Sequence, residues 1–193
     1  MISTKGLKRL EDGILITHDE SSGTTRLDHT SEGILVSTFE ENQQHKGKHF
    51  FIKGYVDFTA TQATTKYFMF DTPDSDTRIH AKAMISTTDI FVIEIYEDAD
   101  ITASGIPVQG FNNDRDSDIE SELKAYANPE VQNEGNLIWP AKTTTVNVAP
   151  LVNYEIIAKT DSTYLWKLSK ISQGKQTIDY DFFWSEHVPK DKR

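Results

Sequence analysis

Short runs in which polar and apolar residues alternate dominate this chain, and no apolar pattern with the helical period of about 3.6 residues is sustained. Residues 78–85 alternate in this way. In residues 177–184, the side chains of Ile178, Tyr180 and Phe182 fall on one face of the run. A period of two residues is typical of a β-strand with one buried face. We therefore predict an all-β protein.

Turn signals separate the alternating runs at short intervals. Asp71-Thr72-Pro73-Asp74 favours a turn because both Asp and Pro favour turn conformations. Short strands with frequent turns are typical of antiparallel sandwiches. We predict an antiparallel β-sandwich, jelly-roll-like, with an aromatic and aliphatic core between its sheets. The predicted strands span residues 14–17, 34–39, 55–59, 66–70, 78–85, 91–97, 154–158, 163–168 and 177–184.

The length of 193 residues suits one domain, or one domain with an arm. Residues 1–45 contain short strand-like runs among polar residues and glycines, whereas the denser apolar runs begin near His49. We therefore predict an extended N-terminal arm over residues 1–45 and a β-sandwich domain over residues 46–193.

The charge and composition exclude several classes of protein. The formal net charge of -10 disfavours binding to a nucleic-acid backbone. The absence of cysteine excludes disulfide scaffolds, thiolate zinc sites and cysteine nucleophiles. The N-terminus lacks the apolar run of a secretory signal, and no apolar run approaches the roughly 18 residues that span a bilayer. We expect a soluble protein, made in the cytoplasm, with neither a nucleic acid nor a membrane as partner.

The histidines give only a weak indication of a metal site. His45 and His49 are four residues apart, a spacing that suits a zinc pair on a helix. Gly47 lies between them and a strand is predicted to follow, so histidines at a turn and a strand edge are the favoured interpretation.

An acidic run, residues 114–122, begins with the alternating carboxylates Asp114, Asp116 and Asp118. A calcium-binding loop begins in the same way, but it needs glycine at its sixth position and glutamate at its twelfth. Ile119 and Ala125 occupy these positions, so a solvated charged loop is favoured.

No motif for a catalytic nucleophile, a phosphate-binding loop or a dinucleotide fold is present. We therefore expect no enzyme activity, no catalytic residue, no metal and no cofactor. The aromatic residues Trp139, Trp166 and Trp184 could stack on a sugar, although an alternating Trp in a sandwich is more often part of the core.

Four short motifs follow one another along the chain: residues 45–51 (HKGKHFF), residues 71–74 followed by Ile79-His80 (TPD…H), residues 95–117 with the loop sequence FNNDRDS, and residues 183–187 (FWSEH). In this order they resemble the motifs of small virion structural proteins of tailed bacteriophages. The resemblance covers about residues 45–188 and departs from the family pattern at Asp114, where Asn is usual.

The resemblance implies a non-enzymatic decoration or cement protein on the capsid surface of the virion, made in the host bacterial cytoplasm. Its partner would be the major capsid protein, and a homo-oligomer, with a trimer favoured, would be expected. The alternatives are a carbohydrate- or receptor-binding virion module, a collar or tail component, and a hydrolase or metal-dependent enzyme built on the acidic run.

The same resemblance suggests which residues bind a partner. In the loop these are Asn112 and Arg115, and Arg115 is expected either to be buried among carboxylates or to be solvent-exposed. The arm would bind by adding a strand to a neighbour, with an ordinary edge strand as the alternative. The arm candidates are Ile14, Leu15, Ile16, Ile34, Leu35 and Val36.

Overall fold

The computed structural model describes residues 7–10, 13–16, 26–30, 33–37, 39–59, 65–87, 90–143, 147–171 and 174–189; of residues 7–37 and 147–154 it describes the backbone. The elements in chain order are β1 (Leu7–Leu10), β2 (Gly13–Ile16), β3 (Arg26–Thr30), β4 (Gly33–Ser37), α1 (Phe39–His45), β5 (His49–Phe58), β6 (Thr65–Asp71), β7 (Arg78–Thr87), β8 (Phe91–Glu97), β9 (Asp100–Ala103), β10 (Ile106–Val108), β11 (Phe111–Asn112), β12 (Lys124–Ala127), β13 (Glu130–Asn133), β14 (Asn136–Lys142), β15 (Asn147–Ala158), β16 (Thr163–Lys170) and β17 (Gln176–His187).

Eight of these strands form a jelly roll of two antiparallel sheets. The first sheet has the order β5-β17-β7-β15, and the second has the order β6-β16-β8-β14. The first four strands therefore pair with the last four in reverse order, as β5 with β17, β6 with β16, β7 with β15 and β8 with β14. This winding is that of a long hairpin wrapped into two layers. The prediction of an all-β, jelly-roll-like antiparallel sandwich is confirmed.

The core lies between the two sheets and is built from the inward-facing residues of each strand. Phe182 of the first sheet contacts the rings of Phe70 and Trp166 of the second, with ring centroids 4.9 and 5.0 Å apart. Ile178 and Tyr180 are buried in the same face of β17, as the alternation predicts. Burial of such aromatic and aliphatic area is the main favourable term in folding.

The connection between β8 and β14, residues 98–135, adds strands to both sheets. In the first sheet β11 pairs with β5, and in the second β12 pairs with β6 and β10 with β12. The strands β9 and β13 pair as a ribbon. Ile101 and Val131 of this ribbon pack on Met69, Tyr96 and Leu165, whose side chains form a second, smaller apolar cluster. The connection therefore covers part of the second sheet on the side away from the main core.

The N-terminal strands form a separate four-stranded antiparallel sheet in the order β1-β2-β3-β4. The strands predicted at 14–17 and 34–39 correspond to β2 and β4, but Phe39 begins the helix α1 instead of ending a strand. The physical reason is the polar sequence after Phe39, in which Glu40 and Glu41 occupy the first turn and interact favourably with the helix dipole. No helix in the described part of the chain is long and apolar enough to cross a membrane.

The helix α1 is terminated by Gly47, shortly before the strand β5 begins. Gly47 adopts a φ of 64°, its N–H donates to the carbonyl of Gln44 at 2.9 Å, and the N–H of Lys48 donates to the carbonyl of Gln43 at 2.9 Å. These two bonds are the Schellman pattern that terminates a helix. Phe39 packs on the rings of His80 and His187, so α1 contacts the first sheet. The division of the chain at residue 45 stays a prediction.

Candidate functional site

The site candidate is the acidic loop, defined as residues 113–123, which joins β11 to β12. Since β11 lies at one edge of the first sheet and β12 extends the second sheet, the loop spans one side of the sandwich. It holds the acidic run and Arg115, and it begins directly after Asn112. Each end of the loop is therefore attached to a strand of one of the two sheets.

Asn112 fixes the start of the acidic loop through its side-chain amide. Its Nδ2 donates to the carbonyl oxygens of Gly47 at 2.8 Å and Ile119 at 3.0 Å, and its Oδ1 accepts the N–H of Asp114 at 3.0 Å. The amide is thus used within the chain. The role of Asn112 in binding a partner stays a prediction. In the structure its side chain holds the conformation of the loop.

Glu186, a residue that we did not predict as part of a site, fixes the end of the loop. Its carboxylate is buried and accepts bonds from the Ser121 hydroxyl at 2.6 Å, the N–H groups of Glu122 and Leu123, and the indole N–H of Trp184 at 3.1 Å. A buried carboxylate is tolerated only when donors surround it. These donors hold the loop against β17.

Glu122 connects the loop to the turn between β6 and β7. Its carboxylate accepts the hydroxyls of Ser75 at 2.8 Å and Thr77 at 2.7 Å. The loop therefore contacts three distant parts of the chain, at Gly47, at Ser75 and Thr77, and at Glu186. The loop is therefore a rigid surface feature.

Arg115 lies at the surface of the loop, which corresponds to the exposed alternative. Its guanidinium carbon lies 5.8 Å from the centroid of the Phe111 ring, and its Nη1 donates to the Asn112 carbonyl at 3.4 Å. Within the described residues it forms no ion pair with Asp114 or Asp116. The loop's geometry is held by Asn112 and Glu186 instead, because both are packed into the sandwich and Arg115 is not.

A groove with a volume of about 610 Å³ lies between the loop and the strands β10 and β11. Its apolar lining includes Phe50, Val108 and Leu123, and carboxylates of the loop line it as well. Two large apolar side chains that line the groove, Phe111 and Ile119, are 45% and 44% exposed. Because exposed apolar side chains gain free energy when covered, the groove is suited to binding another molecule.

His49, His80 and His187 pack against other side chains of the first sheet, whereas His45 is exposed on α1. His49 is buried, its Nδ1 lies 2.7 Å from the Ser185 hydroxyl, and burial lowers its pKa although the charge of Glu40 acts in the opposite direction. Burial also lowers the pKa of His80, whose ring centroid lies 4.7 Å from that of His187. No group of three or more potential metal ligands occurs among the residues that the structure describes.

The three tryptophans do not form an exposed platform. Trp166 and Trp184 belong to the core, with 7% and 2% exposure, and Trp139 is half-buried against it. The structure therefore agrees with the interpretation of these tryptophans as packing residues instead of a sugar-stacking platform.

The arm candidates lie in two strands of the N-terminal sheet. Ile14, Leu15 and Ile16 are part of β2, and Ile34, Leu35 and Val36 are part of β4. Their side chains lie outside the described part of the structure, so their predicted role in binding stays a prediction.

No protein-family model matches this chain, and the comparisons found no curated protein and no solved structure similar to it.

Proposed function

We propose that this protein is a non-enzymatic virion protein of a tailed bacteriophage, which decorates the capsid and stabilises its shell. Its partner in this proposal is the major capsid protein, and its own assembly is a homo-oligomer, with a trimer favoured. It uses no cofactor, and it binds neither nucleic acid nor a membrane.

The observation that carries the proposal is the rigidity of the acidic loop. Asn112, Glu122 and Glu186 fix a surface loop whose residues 113–122 are polar except for Ile119, and only its last residue, Leu123, packs in the core. Ordering a loop costs conformational entropy, and a fixed loop binds a partner without paying that entropy again. Three of the motifs that resemble virion proteins contribute residues to this loop or to its contacts, and Ser75 and Thr77, between the two parts of the remaining motif, also contact it, which supports the assignment of the loop to partner binding.

The test is the addition of the purified protein to expanded capsids of the same phage that lack it. We expect saturable, stoichiometric binding and a higher melting temperature of the decorated shell, since a ligand that binds only the assembled state stabilises it. Capsids that bind no protein at saturating concentration would contradict the proposal. The copy number in the virion distinguishes a decoration protein from a collar component. A decoration protein is present at every equivalent capsid position, whereas a collar component is present only at one vertex.

A further inference from the structure

The charge of the acidic loop is not balanced within the chain. Asp116, Asp118 and Glu120 are exposed, and in the described part of the molecule they form no ion pair. Arg115 is the cation nearest in sequence to Asp116 and Asp118, and Lys124 is the one nearest to Glu120; both line the groove, but the carboxylates of the loop outnumber them. Carboxylates held within a Debye length of about 8 Å repel one another, so a rigid loop of this kind favours the arrival of positive charge.

The groove beside these carboxylates has both polar and apolar side chains in its lining. Phe50 and Leu123 are buried in its lining, and Phe111 and Ile119 expose apolar surface next to Asp118 and Glu120. Lysine and arginine combine an apolar stem with a charged end, so they cover apolar surface and place the charge beside a carboxylate. A segment that alternates basic and apolar residues matches both properties.

We propose that the groove is the binding site for a basic, apolar-rich segment of the partner protein. The segment's apolar side chains cover Phe111 and Ile119, and its lysine or arginine side chains reach Asp118 and Glu120. This inference rests on the proposed function, because it names the chemistry of the surface that the capsid partner presents. Negative potential at the groove disfavours a nucleic acid as the occupant.

The first experiment measures binding of the full-length protein to a short peptide of alternating lysine and leucine by calorimetry. The comparison peptide alternates glutamate and leucine. The loop variant is Asp118→Lys/Glu120→Lys, and the matched control is Asp100→Lys/Glu130→Lys, which makes the same charge change on the exposed ribbon β9 and β13. Circular dichroism and the melting temperature establish that both variants fold.

We expect the lysine–leucine peptide to bind the wild type and the control with affinities within about twofold, and the loop variant about tenfold more weakly or worse. Affinity should fall with added salt. Equal losses in the two variants, binding of the glutamate–leucine peptide, or binding of calcium to the loop without binding of the lysine–leucine peptide would each overturn the inference.

The second experiment repeats the capsid-binding assay with the two variants. If the wild type binds capsids and the loop variant binds equally well, the groove inference is wrong while the decoration function stands. If the wild type binds the lysine–leucine peptide at the groove but binds no capsid, the proposed function is wrong and the groove assignment stands. A loss of capsid binding that is confined to the loop variant supports both the decoration function and the groove inference.

Discussion

Glu186 decides more of the local structure than any other single residue in the candidate site. Alternation along β17 placed Ile178, Tyr180 and Phe182 on the inward face, and the same parity places Glu186 inward as well. A carboxylate at an inward position of an otherwise apolar face is the signal that could have identified it from the sequence. Apart from the indole N–H of Trp184, the donors that surround it could not be predicted, because they come from residues 121–123, more than 60 positions away.

The substitution Glu186→Ala should lower the free energy of unfolding by about 2–4 kcal/mol, because several buried donors lose their acceptor. Glu186→Gln keeps one acceptor oxygen and should cost about half as much. Urea denaturation measures both, with Glu155→Gln at an exposed position of β15 as the control. An alanine variant within about 0.5 kcal/mol of the wild type would show that the carboxylate does not hold the loop.

Glu134 performs a comparable role at the end of the ribbon β9 and β13. Its carboxylate accepts the Tyr67 hydroxyl at 2.8 Å and the Lys167 ammonium at 2.9 Å. Burial by itself would raise the pKa of Glu134, but the bonds from Lys167, Tyr67 and Tyr96 outweigh it and lower the pKa below 4.5. Burial, and then the bond to Glu134, raise the pKa of Tyr96 to about 12.

Acidification should therefore loosen the ribbon. A carboxyl whose pKa is lower in the folded state stabilises the fold above its ordinary pKa, and this contribution is lost as the pH falls from about 4.5 through the folded value. Hydrogen exchange of the β9 and β13 amides should show protection that declines over this range. In Glu134→Gln that decline should disappear, whereas Glu130→Gln should retain it; an unchanged profile in Glu134→Gln would contradict the assignment.

At the scale of elements, local patterns predicted most strands of the two main sheets, but none of their pairing and no strand between residues 98 and 142. The runs at 78–85, 91–97 and 177–184 lie in β7, β8 and β17, because a half-buried strand leaves its period in the sequence. The helix α1 was missed because seven residues are too few to show a helical period. The order of strands depends on contacts between distant residues, which no window of sequence contains. For the same reason Asn112 was identified in the loop, but its partner Gly47 was not.

The close contact between α1's terminus and the acidic loop gives a prediction for Gly47→Ala. A Cβ at this position would overlap the Ser117 hydroxyl and lie 2.8 Å from the Ser117 Cβ, and the φ of 64° adds conformational strain. We expect a loss of about 1–3 kcal/mol in the free energy of unfolding.

Two further variants separate the two causes. Gly174→Ala introduces a side chain where nothing lies within 4 Å, so its cost, at a φ of 106°, reports backbone strain without a steric overlap. Ser117→Gly should recover part of the loss in the double variant, as a double-mutant cycle from urea denaturation would measure. Equal costs at Gly47 and Gly174, with no recovery, would show that Ser117 is not involved.

At the scale of the whole molecule, the contacts of Phe39 indicate where the sandwich begins. Because Phe39 packs on His80 and His187, a chain that starts at residue 39 should keep these contacts and a chain that starts at residue 46 should lose them. We expect the longer chain to unfold cooperatively at a higher temperature than the shorter one, which calorimetry measures. Equal melting temperatures would place the boundary after α1, as the sequence predicted.

The reverse-order pairing of the eight strands also determines when this protein can fold. Lys53 of β5 pairs with Asp181 of β17, 128 residues later in the chain. Folds dominated by such distant contacts form slowly, because each contact closes a long loop before any compensating energy is gained. During synthesis, β5 leaves the ribosome long before its neighbour β17 has been made. The first sheet can therefore assemble only after β17 has been synthesised.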